Sequence, residues 1–328
     1  MITWPKISVV IPTLNEEKNI QNCLESIFRQ KYPKDKLEVI VVDNNSTDKT
    51  IGIAKKFPVK ILKSGKRHGE VSKMIGFKAA TGEYCMYLDA DNELASTNWF
   101  EKMLKPFQVH QKVIGVFTWE GARKTESALE RFLSFDPLQR DSLYQFFSPS
   151  IKETITAKKD GYWLLDYRVG KIPPSGRCLY KRDLVQNLIR EYEMFLELDF
   201  LVLFARNGLS TFAYSYEAGL YHHHAKTLKD LLKKRKYNLN KVYLQRNQRL
   251  YKWFDLEKID DLIKLLLWII YSNLIIPSLV VGLYKSFKYQ DWAGLYEPLV
   301  NLFVTDMLIF EFLKNPKARN MFKFLRNG

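Results

Sequence analysis

The sequence predicts an α/β protein: an open, mostly parallel β-sheet flanked by helices, followed by a C-terminal helical segment that is membrane-associated. Three observations predict it. Short β-branched runs alternate with amphipathic stretches over the first hundred residues, each run ends in turn-forming residues, and an uncharged stretch of about 19 residues, 265–283, arrives only near the end.

The runs "KISVVIP" and "LEVIVVD" read as buried parallel strands. Between them "NEEKNIQNCLESIFRQ" sets Ile20, Leu24, Ile27 and Phe28 at helical spacing behind acidic first-turn residues, completing a β-α-β unit. "NNSTDKTIGIAKKF", capped by Ser46 or Thr47, gives the next helix and "VKILK" the next strand. "EVSKMIGFKAATG" predicts a helix stopped by Gly82, and "EYCMYLDADNE" a strand running into three acids. Beyond residue 95 the pattern predicts a helix over 96–110, a strand at "VIGVFTW", an aromatic amphipathic stretch at "SALERFLSFDPLQRDSLYQFF" and an irregular region over 150–180. A helix in "EMFLELDFLVLFARNGLS" ends at Gly208, and a basic stretch with helical periodicity covers 225–253. In an open parallel sheet ligands gather beyond the carboxyl ends of the strands, and Asp43 and Asp89 both stand at such ends.

Hydrophobic residues make up 46% of the 328 and supply a sizeable core, while a formal net charge of +15 suits an anionic partner: a phosphate-bearing ligand or an acidic lipid surface. Nucleic acid is not the expected partner, because no RNP, helix-turn-helix or zinc pattern accompanies the basic stretch. Cys23, Cys85 and Cys178 lie far apart without a CxxC pair, which excludes a disulfide framework and predicts buried thiols. The N-terminal "MITWPKISVVIPTLNEE" lacks the h-region of a signal peptide, so the front of the chain is expected to stay cytoplasmic.

Residues 265–283, "LLLWIIYSNLIIPSLVVGL", are long enough to cross a hydrocarbon core, with Asn273 and Pro277 tolerable if neighbours satisfy the freed backbone. Lys and Arg crowd the chain between Lys226 and Lys252, as expected of a cytoplasmic domain against anionic headgroups. "WAGLYEPLVNLFVTDMLIFEFL" carries Glu297, Asp306 and Glu311, and is expected to lie at the interface or pack on its neighbour. The alternative is a soluble pair of helices covering the sheet.

The motifs "ISVVIPTLNEEKNI", "EVIVVDNNSTDKT" and "TGEYCMYLDADNE" occur in the order and spacing of the inverting family 2 glycosyltransferases, which this chain resembles over about residues 6–253. The resemblance implies the nucleotide-sugar-binding GT-A fold, a nucleotide-diphosphate sugar donor, a lipid-linked or glycan acceptor and a divalent cation, Mg or Mn. It organises the chain as a catalytic domain over 1–253 (nucleotide-binding half 1–95, acceptor half 96–225, basic stretch 226–253) and membrane-associated helices over 254–328. Residues i and i+2 on a turn after a strand can both face a ligand, so Asp91 is expected to hold the cation and Asp89 the ribose or the same ion. By resemblance, Pro12, Thr13, Asn15 and Glu16 form the nucleobase loop, and Asp43 contacts base and ribose. Lys66 and Arg67 are the expected diphosphate cations. Glu93 matches a metal ligand of relatives that use polyprenyl phosphate, and His222, in "YHHHAK", stands where some enzymes of this fold add a histidine to the metal. The acidic pair after "GRCLYKRDL" falls on "FLELDF", with Asp199 the favoured base and Glu197 the alternative. Two features depart from the family: Lys73 and Met74 stand where an arginine-asparagine pair is common, and the acidic pair is split. A non-catalytic nucleotide-sugar-binding relative acting as a scaffold is therefore the competing class.

Overall fold

The computed structural model describes residues 4–136, 141–174, 176–240, 249–255 and 258–316. The elements run β1 (Ile7–Thr13), α1 (Ile20–Phe28), β2 (Leu37–Asp43), α2 (Thr50–Ala54), β3 (Lys60–Lys63), α3 (Gly69–Ala79), β4 (Tyr84–Tyr87), β5 (Asn92–Leu94), α4 (Trp99–Val109) and β6 (Gly115–Gly121). Then come α5 (Ala128–Ser134), α6 (Ser142–Phe147), β7 (Ile155–Lys159), β8 (Tyr162–Asp166), β9 (Cys178–Lys181), α7 (Arg182–Ile189), α8 (Glu197–Arg206) and β10 (Thr211–His222). The chain closes with α9 (Leu228–Asn238), α10 (Ile259–Asn273), α11 (Ile275–Tyr289) and α12 (Glu297–Lys314). Two units form: Met1–Gly121 with Pro149–His222, and Ala122–Ser148 with His223–Gly328.

The first unit holds the sheet, in the order β3-β2-β1-β4-β9-β6-β10-β8-β7, with β5 added on β10. Strands β9, β8 and β5 run against the rest, so the sheet is mostly parallel as expected. Alternate residues of β1 and β2 (Val9, Ile11, Val39, Val41) bury against Ile20, Cys23, Leu24 and Ile27 of α1 and Trp99, Phe100 and Met103 of α4. Pro12 is tolerated in a central strand because it faces the β4 side beyond the last β1–β4 pair, Val10–Tyr87, where no ladder bond is required. On the other face α3 approaches β1 so closely that a Cβ on Gly76 would fall 2.1 Å from Val10 Cγ1. All three cysteines are buried free thiols.

The region 150–180 is more regular than expected. "ITAKKDGYWLLD" forms the β7–β8 hairpin, closed at Asp160 and Gly161, with Gly161 at φ +85°. The Asp-Gly dipeptide between alternating runs is the signal that marks it.

The second unit is helical, with Leu129, Phe132, Leu133, Leu231, Val300 and Val304 in its core. The expected single spanning helix over 265–283 is a correction: it is broken at Leu274 into α10 and α11, bent by 80°. Pro277 is the physical reason, since its ring excludes the carbonyl of residue 273 and its missing N–H is harmless only in the first turn of a helix. Asn273 Nδ2 turns back to the Ile269 carbonyl at 3.1 Å and reaches Asp306 at 3.3 Å. The stretch Trp292–Lys314 is long and apolar enough to cross a membrane, although it was not expected to span alone. Its acids are paired: Glu297 with Lys285 at 2.5 Å and Glu311 with Lys236 at 2.7 Å. The basic stretch begins as α9, with Thr227 Oγ1 accepting from Asp230 N at 3.2 Å; residues 241–248 and most of the basic tail lie outside the described residues.

Candidate active site

The ends of β1, β2 and β4 lie side by side, since β1 pairs in parallel with both neighbours. At the first end Asn15, at φ +57°, turns the chain so that its Oδ1 accepts from Thr47 N at 2.9 Å while its own N–H donates to Ser46 Oγ at 3.0 Å. Glu16 N donates to Thr50 Oγ1 at 2.7 Å, and Glu16 Oε2 accepts from Asn19 Nδ2 at 2.8 Å. Asp43 accepts from Ser46 N at 3.1 and 3.3 Å, a local turn that Asn45 permits at φ +65°. Pro12 and Thr13 complete this edge, and Thr13 Oγ1 is buried without a hydrogen-bond partner among the described residues. An orphaned hydroxyl at a strand end suits a polar ligand.

Beyond β4 the chain turns through Asp89 and Asp91 into β5. Asp89 Oδ2 accepts a close charged hydrogen bond from Arg177 Nη2, and Asp89 Oδ1 lies 3.9 Å from Lys73 Nζ. Arg177 also donates to Glu120 Oε1 and Asn92 Oδ1, each at 3.2 Å, and to Tyr87 OH at 3.4 Å. His222 bridges the other side: Nε2 is 3.6 Å from Asp91 Oδ1 and Nδ1 is 3.2 Å from Glu120 Oε2. Burial opposes a charged His222, but Asp91 and Glu120 outweigh it and raise its pKa. Burial likewise opposes Lys73, and Glu70 and Asp89 raise it, so the ammonium stays charged over the Tyr87 ring at 4.2 Å.

Asp91 and His222 are thus brought together at a spacing that two ligands of one cation can adopt. Asp89 is taken up by Arg177. Glu93 sits opposite Tyr221 in the β5–β10 ladder while Asn92 sits opposite His222, so alternation turns Glu93 to the other face, where Oε1 is 3.5 Å from Asn22 Nδ2. The four expected metal ligands therefore do not converge. Lys66 pairs with exposed Glu193 at 2.6 Å and Arg67 is exposed; Lys73 and Arg177 are the cations at Asp89.

Glu197, the first residue of α8, accepts from Tyr87 OH at 2.8 Å and Tyr180 OH at 3.1 Å while keeping partial exposure. Burial pushes its pKa up to about 7, against Arg177, Tyr87 and Lys73, which pull it down. Asp199 is buried and, two residues on, points away from Glu197 on the helix. Arg177, Glu120 and Tyr87 were not singled out from sequence. Arg177 lies in "GRCLYKRDL", but only the long-range pairing of β9 between β4 and β6 carries it to Asp89. Lys73 was visible only as a departure.

The profile of "Glycosyl transferase family 2" matches residues 8–186. Glycosyltransferase AglE of Haloferax volcanii is 40% identical over 95 residues, 27% of this chain and 31% of that protein. A dolichyl N-acetyl-alpha-D-glucosaminyl phosphate 3-beta-D-2,3-diacetamido-2,3-dideoxy-beta-D-glucuronosyltransferase of Methanococcus voltae is 38% identical over 91 residues, 26% of this chain and 28% of that protein. Each match thus spans less than a third of the relative's length. Among solved structures, Staphylococcus aureus TarS 1-349 in complex with UDP-GlcNAc aligns at 13% identity and TM-score 0.48 over 93% of this chain and 92% of that one. Mannosyltransferase PcManGT from Pyrobaculum calidifontis, in complex with GDP-Man and Mn2+, aligns at 16% and 0.47 over 99% and 81%. With the profile covering more than half of its length, the chain belongs to glycosyl transferase family 2.

Proposed function

We propose that this chain transfers a sugar from a nucleoside-diphosphate sugar to a lipid-linked acceptor with inversion at the anomeric carbon, and that Glu197 is its base. The observation that carries this reading is the single hydrogen-bonded network that links the Asp91–His222 pair, through Glu120, Arg177 and Tyr87, to a partly exposed carboxylate titrating near 7. Thr13, Asn15 and Asp43 receive the nucleoside at the strand ends. Asp91 and His222 would hold a divalent cation, which would supply Lewis-acid neutralisation of the diphosphate charge. Lys73 faces the same phosphates, and Arg177 fixes Asp89 so that the acids do not repel one another apart. Glu197 accepts the proton of the acceptor hydroxyl as that oxygen attacks; a pKa near the working pH suits a general base. Asp199, buried and turned away, supports the helix.

The lipid-linked acceptor is supported by α10 and α11, whose outer side exposes Ile263, Leu266, Ile275, Ile276, Val280 and Phe287, together with the +15 charge of the chain. The name of the Methanococcus voltae relative, a dolichyl phosphate sugar transferase, points the same way. Purified protein is assayed with a panel of nucleotide sugars against polyprenyl-phosphate-linked sugars, whose free hydroxyl is the attacking group, and against the same sugars in soluble form. The expected result is metal-dependent transfer favouring the lipid, lost in Glu197→Gln and Asp91→Asn. Equal transfer to both acceptors removes the lipid reading; tight donor binding without any transfer favours the scaffold.

A further inference from the structure

In the second unit, Glu126 precedes the Ser127 N-cap of α5 and Glu130 lies in the first turn of that helix. Ser127 and Glu130 form a capping box: Glu130 N donates to Ser127 Oγ at 3.3 Å, while Glu130 Oε2 accepts from Ser127 N at 3.2 Å and Ser127 Oγ at 2.8 Å. The box fixes the Glu130 side chain and occupies only one of its oxygens. Glu130 is 3% exposed, and its Oε1 has no hydrogen-bond partner among the described residues. Glu126 Oε2 is likewise buried without a partner. A buried carboxylate oxygen left unpaired is costly.

His223 completes the group. Its Nδ1 lies 3.4 Å from Glu126 Oε1, and one ligand atom from each of Glu126, Glu130 and His223 lies within 4.8 Å of the other two. Arg123 Nη1 approaches Glu126 Oε1 at 3.4 Å from the same turn. At 3.4 Å both contacts are longer than a strong charge-assisted hydrogen bond. Burial raises the Glu126 pKa and Glu130 raises it further, while His223 and Arg123 pull it down. Tetrahedral zinc, with bonds of about 2.0–2.1 Å to nitrogen and oxygen, needs ligand atoms about 3.3 Å apart. The His223–Glu126 spacing is already there.

We propose that Glu126, Glu130 and His223 bind a divalent transition cation of the zinc type. One imidazole and two carboxylates suit zinc better than magnesium, which prefers oxygen ligands in an octahedron. The site shares no ligand with Asp91 and His222, and it does not depend on the donor reading. Its role is structural, pinning the start of α5 to the chain at His223.

The test uses the full-length chain carrying Asp91→Asn, stripped of metal and free of nucleotide, titrated calorimetrically with Zn²⁺ alone. The expected result is one equivalent bound, with a raised Tm and much weaker binding of Mg²⁺. Glu130→Gln, which keeps a capping acceptor, and His223→Gln each lower Zn²⁺ affinity at least tenfold while circular dichroism stays unchanged. Absence of Zn²⁺ binding to the folded parent, or an isotherm unchanged in both variants, overturns the proposal. If the variants do not fold, Co²⁺ on the parent decides: four-coordinate visible absorption without a sulfur charge-transfer band supports the site, and a weak octahedral spectrum refutes it.

Discussion

Arg177, only 9% exposed, lies among Asp89, Glu120, Asn92 and the Tyr87 ring, so one guanidinium holds two carboxylates that repel each other without it. Replacing it with Met leaves Glu120, 3% exposed, without that charged partner, and Arg177→Met is expected to cost about 3–5 kcal/mol in urea unfolding. Glu197 carries a pH signature. Its pKa of about 7 in the fold stands above the ordinary 4.5, so the folded chain holds a proton that the unfolded chain releases between those values. Stability therefore falls as pH rises from about 4.5 to 7, by about 2–3 kcal/mol at about 1.4 kcal/mol per decade, and Glu197→Gln flattens that slope. In the same variant pair kcat/KM of the wild type rises to a plateau above pH 7, while the variant loses about 10²–10⁴-fold. At this scale Asp43, Asp89 and Asp91 were readable because acids at strand ends stand out in a cationic chain. Arg177 and Glu120 were not, because neither spacing nor chemistry marks them until β9 and β6 pair.

Among the elements, α3 and β1 meet at a contact that only glycine permits. Gly76→Ala places a methyl into Val10 and is expected to cost about 1–3 kcal/mol, with partial recovery in the double variant Gly76→Ala, Val10→Ala, measured by chemical unfolding. The β-α-β order of the first ninety residues was legible because buried parallel strands and amphipathic helices leave different periods in the sequence. The β7–β8 hairpin was passed over although Asp160 and Gly161 announce it. The break at Leu274 was hidden for another reason: hydropathy sums along 265–283 and is blind to a proline that starts a new helix. The two resulting helices leave Ile276 and Phe287 at 76% and 82% exposure. Replacing both with Ser is expected to weaken binding to anionic vesicles about tenfold or more while leaving unfolding stability within about 0.5 kcal/mol.

For the molecule as a whole, the excess of 15 positive charges suits the two anions of the proposed function, the phosphates of a donor and the headgroups of a membrane. Vesicle binding is accordingly expected to fall steeply between low and physiological salt, because the Debye length shortens to about 8 Å. Of the two proposed partners the donor is the more decisive to test. Isothermal titration of a nucleoside diphosphate into the wild type and into Asp91→Asn, with and without Mn²⁺, tests it directly. The expected result is binding strengthened at least tenfold by Mn²⁺ in the wild type, with no strengthening in the variant. Nucleotide binding that ignores both the metal and Asp91, or no binding by the folded wild type, contradicts a cation-bridged donor site at Asp91 and His222.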